Sequence, residues 1–151
     1  MAKNPRLPER FAPPPEVSSK KRIVKTEELR AVTPVGGIMI VRNIRDKEVL
    51  DTTYLAHGGA IAQMILDRRT LKEIGFLAIA MLAPGKTIEA HVDPMEEIYF
   101  IMTGEGEMTV DNETRHVKPG DATWIPTGSS HALTNSGTED CVVLVVASPA
   151  W

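Results

Sequence analysis

Three side chains that commonly bind divalent cations, His91, Asp93 and Glu97, fall within one run of seven residues, His91-Val92-Asp93-Pro94-Met95-Glu96-Glu97. A fourth, His131, follows 34 positions after Glu97. An imidazole binds a metal when it is neutral and held by a hydrogen bond at its second nitrogen, whereas carboxylates bind as anions. In an extended chain, positions two apart share a face, so His91 and Asp93 can point the same way, and Pro94-Met95-Glu96 then carries the chain round to Glu97. His131 is expected to arrive from the facing sheet. Two imidazoles with one or two carboxylates make an oxygen-rich set that favours Fe(II) or Mn(II), with Ni(II) and Zn(II) as further candidates, one ion per subunit. No thiolate joins this set, which excludes a structural zinc site of the cysteine type.

Both halves sit in longer frames. The first reads Gly85-x5-His91-x-Asp93-x3-Glu97-x6-Gly104, the second Gly120-x5-Pro126-x-Gly128-x2-His131-x3-Asn135, and fifteen residues separate them. These frames resemble the two signature motifs of the cupin superfamily, in its small single-domain microbial form. The second agrees at every defined position; the first departs at one, with Asp93 where the family usually has its second histidine. The resemblance implies an all-β fold, a double-stranded β-helix or jelly-roll barrel, with His91, Asp93, Glu97 and His131 around a metal. It also implies a homodimer in which an N-terminal strand passes to the partner subunit.

Asp93 leaves two readings open. It ligates the metal, completing a two-histidine, one-carboxylate triad with Glu97 as a fourth group, or it falls short of the metal and acts as a general base. The triad is also similar to that of the 2-oxoglutarate-dependent oxygenases. Those enzymes anchor their co-substrate with a basic residue beyond the distal histidine, and no Lys or Arg follows His131 here.

The elements that must position these groups are short. Phe76–Leu82 is apolar at successive positions, as in a strand covered on both faces. Glu97–Met102 alternates, placing Glu97, Tyr99 and Ile101 on one face and Ile98, Phe100 and Met102 on the other. If Glu97 points inward, Tyr99 and Ile101 line the same cavity, joined by Leu133 and by Met81 as an apolar wall; Tyr99 and Glu97 are the candidate catalytic groups. Residues 107–110 and 114–117 flank a hairpin turn at Asp111-Asn112-Glu113, and further strands are expected at 122–125, 131–134 and 141–146. The run 60–67 reads as a strand after a turn at Gly58-Gly59. His57, at that turn, is either a structural residue or a group near the mouth of the pocket. His116 belongs to the surface.

Residues 1–22 hold Pro5, Pro8, Pro13, Pro14 and Pro15 and the basic Lys20-Lys21-Arg22, the marks of an extended arm ahead of one domain over 23–151. Thr26 offers an N-cap for one short turn, and 36–42 reads as a strand. A length of 151 residues suits a single domain. The formal charge of -3 and pI near 5.8 give no electrostatic case for nucleic acid. With no apolar stretch near the roughly 20 residues of a membrane span, the expectation is a cytoplasmic protein that takes a small molecule as substrate. Three functions fit: a non-haem, iron-type dioxygenase or related oxidoreductase, a non-redox lyase or isomerase using the same metal, and a non-catalytic small-molecule-binding barrel.

Overall fold

The computed structural model describes residues 39–148. The expected arm over 1–22 and the turn capped by Thr26 lie outside the described residues. Of the strand expected at 36–42, positions 39–42 are described and form no strand. Met39 and Val41 are more than three-quarters exposed, and these positions pair with none of the strands of either sheet.

Ten strands carry the described fold: β1 (Tyr54–Ala56), β2 (Ala60–Leu66), β3 (Phe76–Leu82), β4 (Thr87–Val92), β5 (Glu97–Thr103), β6 (Gly106–Val110), β7 (Glu113–Val117), β8 (Ala122–Ile125), β9 (Ser130–Thr134) and β10 (Cys141–Ala147). One helical turn, α1 (Lys47–Leu50), precedes them. Among the described residues no helix is long and apolar enough to cross a membrane. The strands form a six-stranded sheet in the order β1-β2-β3-β10-β5-β8 and a four-stranded sheet in the order β4-β9-β6-β7. Their inner faces share one core, in which Ala78, Ala80, Leu82, Tyr99, Ile101 and Val143 meet Ile88, Met108 and Leu133. The architecture is the all-β jelly roll anticipated from the motifs.

Alternation decides what faces that core. Along β5, Glu97, Tyr99 and Ile101 are buried while Ile98, Phe100 and Met102 are exposed, as the period of two requires. On β3 the same rule sends Ala78, Ala80 and Leu82 inward and Ile79 and Met81 outward. The outer pair packs with Val142, Ile44, Ile61 and Ile65 in a second cluster, which is why β3 is apolar at every position. Met81 is therefore no wall of the central cavity; it belongs to the outer layer, a correction that follows from its parity with respect to Leu82.

One seam between the sheets is closed by backbone. A Cβ added at Gly59 would lie 2.0 Å from the Thr87 carbonyl oxygen, so the turn between β1 and β2 presses directly on β4, an approach that glycine alone permits. The Glu89 N–H donates to the His57 carbonyl at 2.9 Å across the same seam. Opposite, between the edge strands β7 and β8, a cleft of about 900 Å³ stays open, lined by Met108, Val110, Arg115, Thr123 and Trp124 among others.

Candidate metal centre

His91 reaches the interior through an irregularity. Ile88 pairs with Leu133 and His91 with His131, so three steps along β4 answer two along β9. This is a β-bulge. Ile88 faces in, Glu89 and Ala90 both face out, and His91 turns inward again. Without the extra residue, strict alternation from Ile88 would point His91 to solvent.

The bulge also orients the ring. The Nδ1 of His91 lies 2.7 Å from the carbonyl of Glu89, the extra residue, and the Nδ1 of His131 lies 3.2 Å from the Ser129 carbonyl. A carbonyl only accepts, so in both rings Nδ1 carries a hydrogen, and in the neutral ring Nε2 is then the lone-pair nitrogen facing the centre. Glu97 opens β5 and pairs with Ile125 on one side and Ala147 on the other. Asp93 follows β4, its carbonyl accepting the Gly128 N–H at 3.1 Å. The loop from Asp93 to Glu96 is pinned at its end: the Glu96 N–H donates to Ser148 Oγ at 2.9 Å, and Trp124 Nε1 donates to Glu96 Oε1 at 2.6 Å.

The structure thus brings together the four residues expected from the spacing. One donor atom from each of His91, Asp93, Glu97 and His131 lies within 4.8 Å of the others. The direction of approach differs from expectation. His131 sits beside His91 in the four-stranded sheet, and Glu97 is the group that comes from the facing sheet. A spacing in sequence carries no record of which strands pair.

The donor set fits a divalent cation. His91 Nε2, His131 Nε2 and Glu97 Oε2 are buried without a hydrogen-bond partner, although Nε2 of His131 is only 3.0 Å from Glu97 Oε2. Unpaired buried polar atoms are costly. Three of them converging on one point, with two carboxylates to balance a 2+ charge, are satisfied together by one ion. His131 and Glu97 are 1% and 3% exposed, against 14% and 25% for His91 and Asp93, so the centre opens to solvent on the Asp93 side.

Electrostatics in this pocket come from its own members. Burial disfavours the charged ring of His131, but the Glu97 carboxylate, the Ser129 carbonyl and Asp93 outweigh it, and its pKa lies above the ordinary histidine value. Burial raises the Tyr99 phenol far above its usual range, helped by Glu97 and Asp93, and raises Tyr54 through the same causes. Both phenols therefore stay protonated through the neutral range. Tyr99 meets the His131 ring edge-on at 5.7 Å between centroids. Ile101 and Leu133 face the same interior, packed in the core beside Tyr99.

Tyr54 and the Glu96-Trp124-Ser148 anchor were not among the residues singled out from the sequence. Tyr54 was within reach, since alternation from buried Ala56 turns it inward; the anchor links three distant positions and left no local pattern. The last motif residue, Asn135, proves structural: its Nδ2 donates to the Leu82 and Glu139 carbonyls, both at 2.8 Å. His116 lies at the surface between Glu107 and Glu105.

The cupin domain family matches residues 78–147, a span that contains all four donors. This chain belongs to the cupin family. An uncharacterised protein of Methanocaldococcus jannaschii is 34% identical over 100 residues, covering 65% of this cupin and 80% of the relative. A 5-nitrosalicylic acid 1,2-dioxygenase of Bradyrhizobium is 31% identical over 71 residues, covering 47% of this chain and 34% of the enzyme. Among solved structures, a Thermotoga maritima protein named as a predicted oxalate decarboxylase superposes with a TM-score of 0.63 at 26% identity, over 72% of this cupin and 98% of that chain.

Proposed function

We propose that this cupin is a metal-dependent enzyme acting on a small organic molecule, with dioxygenase-type chemistry at a non-haem iron as the leading activity. The observation that carries the proposal is the convergence of three buried donor atoms with no hydrogen-bond partner outside the cluster, two of them Nε2 atoms of rings whose Nδ1 faces a carbonyl, beside a partly exposed carboxylate. His91, Asp93, Glu97 and His131 would hold Fe(II) or Mn(II). When bound, the ion polarises an enol, hydroxyl or carboxylate of the substrate or activates O2 beside it.

The chain supplies the rest. The substrate enters from the Asp93 side, where the centre is open. Tyr99 keeps its proton and donates a hydrogen bond to an oxygen that gains negative charge, and the apolar interior around Ile101 and Leu133 excludes water behind it. The relationship to the Bradyrhizobium dioxygenase supports the oxidative reading. The name of the Thermotoga neighbour, together with two phenols that stay protonated, supports a non-redox lyase or isomerase as the second reading. A homodimer is part of the proposal, supported by the apolar outer face of Ile98, Phe100, Met102 and Trp124, the kind of patch that a partner copy covers.

Protein purified without chelator or metal-affinity tag is expected to contain roughly one Fe or Mn per chain. With Fe(II) and a panel of small diketones, catechols and hydroxy acids, it is expected to consume O2 in step with substrate loss. Turnover that continues unchanged without O2 selects the lyase or isomerase. Protein that stays metal-free and takes up no added metal ends the enzymatic proposal and leaves a binding barrel.

A further inference from the structure

His57 is placed unlike any other residue near the centre. Its backbone has φ +43°, in the left-handed region that side chains with a Cβ rarely occupy. Such a position is usually given to Gly or Asn, and Gly58 and Gly59 stand immediately after it. Histidine is among the few side chains enriched there, and a residue held in this region invites the hypothesis of a local role.

Two contacts identify what that is. The His57 ring lies parallel to the His91 ring, with centroids 3.5 Å apart and 10° between planes. The His57 carbonyl accepts the N–H of Glu89, whose own carbonyl holds His91 Nδ1. One residue thus covers a face of the His91 ring and also braces the bulge residue that fixes its tautomer. His131 meets the Tyr99 ring edge-on and the His91 ring at a tilt, with no ring stacked parallel to it, and it is 1% exposed on a strand with neighbours on both sides.

We infer that His57 is a positioning residue for His91, locking the ring plane of the ligand on the open side of the centre by stacking on it and thereby setting metal affinity. The role rests on the metal-centre reading given above. His57 does not belong to the four-donor cluster and is assigned no bond to the ion.

The stacking ring and the strained backbone can be separated by two substitutions. His57→Asn keeps a residue that tolerates left-handed backbone but removes the ring; His57→Phe keeps a stacking ring but worsens the backbone. Each is measured as full-length protein in two ways: thermal melting of the metal-free form, and binding of Mn(II) by calorimetry, with the visible spectrum of the Co(II) form reporting coordination. His57→Asn is expected to melt close to the wild type yet bind Mn(II) about tenfold more weakly, the scale of loss for an outer partner of a ligand, with an altered Co(II) spectrum. His57→Phe is expected to melt lower yet recover most of the affinity and the spectrum. Affinity that tracks melting temperature, equal losses in both variants, or wild-type binding by His57→Asn would each overturn the role of His57 alone. Wild-type protein that binds neither Mn(II) nor Co(II) overturns the metal centre itself, and His57's role with it.

Discussion

The two halves of the centre are built by different means. Glu97 and His131 sit on β5 and β9, strands flanked on both sides, and their side chains are almost fully enclosed. His91 sits on β4, the edge of the four-stranded sheet, and Asp93 lies just beyond it; both are partly open. An interior strand fixes a side chain through ladders on both flanks. At an edge half of that constraint is missing, and here a bulge, a stacked ring and a pinned loop replace it. The buried half anchors the centre, and the other half opens it to solvent.

The difference is broken most severely from the buried side. His131→Ala removes one donor and leaves the Glu97 carboxyl in an enclosed site without the imidazole 3.0 Å from it. Metal affinity is expected to fall by at least a hundredfold, beyond the range typical of outer-shell changes. The metal-free protein should also lose stability, on the order of 3 kcal/mol, as when one member of a buried pair is deleted. Calorimetric metal titration and chemical denaturation of the chelated protein measure the two losses separately. An equal or greater loss of stability on removing Asp93 would reverse the assignment of the halves.

Acidity separates the metal-free and loaded proteins. The raised pKa of His131 means that its charged ring stabilises the metal-free fold most fully below about pH 6.5, the unfolded value. That contribution is lost as pH rises through the higher folded value. A bound ion needs the neutral ring, so metal affinity rises over the same interval. Melting temperatures taken from pH 6 to 9 should therefore fall with pH in chelator relative to a control variant, His131→Gln, and rise with pH at limiting Mn(II). Parallel slopes in the two series would show that His131 is not where ion and proton compete.

Asp93 gives a smaller effect and a sharper distinction. Asp93→Ala is expected to weaken metal binding by more than the tenfold expected of an outer partner, with stability changed by less than about 1 kcal/mol, since the side chain is a quarter exposed. Metal content that survives the substitution while turnover is lost would instead make Asp93 a base, with three residues ligating.

Much of this was legible from residue types and spacing. The motif frames named the four donors and the jelly roll, and the alternation of β5 put Glu97, Tyr99 and Ile101 on one face. Three things were not. The bulge in β4 leaves no mark in Thr87–Val92, because an extra residue is defined only against its partner strand. Pairing of His91 with His131 depends on sheet order, which a spacing of forty residues does not encode. Of the strand expected at 36–42, the described positions 39–42 pair with no strand of either sheet. In each case the missing information is a relation between distant segments.

Met81 shows the same limit within a single strand and gives the smallest expected effect on the centre. In an uninterrupted apolar run, nothing local says which parity faces the barrel, and Met81 falls on the outer side with Ile79 and Val142. Met81→Ala removes a side chain that is 2% exposed and should cost about 2–5 kcal/mol in stability. Metal affinity and the Co(II) spectrum should stay within error of wild type at temperatures where the variant is folded, because the sheet lies between this cluster and the donors. A changed spectrum in a folded Met81→Ala protein would mean that the outer layer is coupled through β3 to the interior, and that the anchor half of the centre is less independent of its surroundings than its enclosure implies.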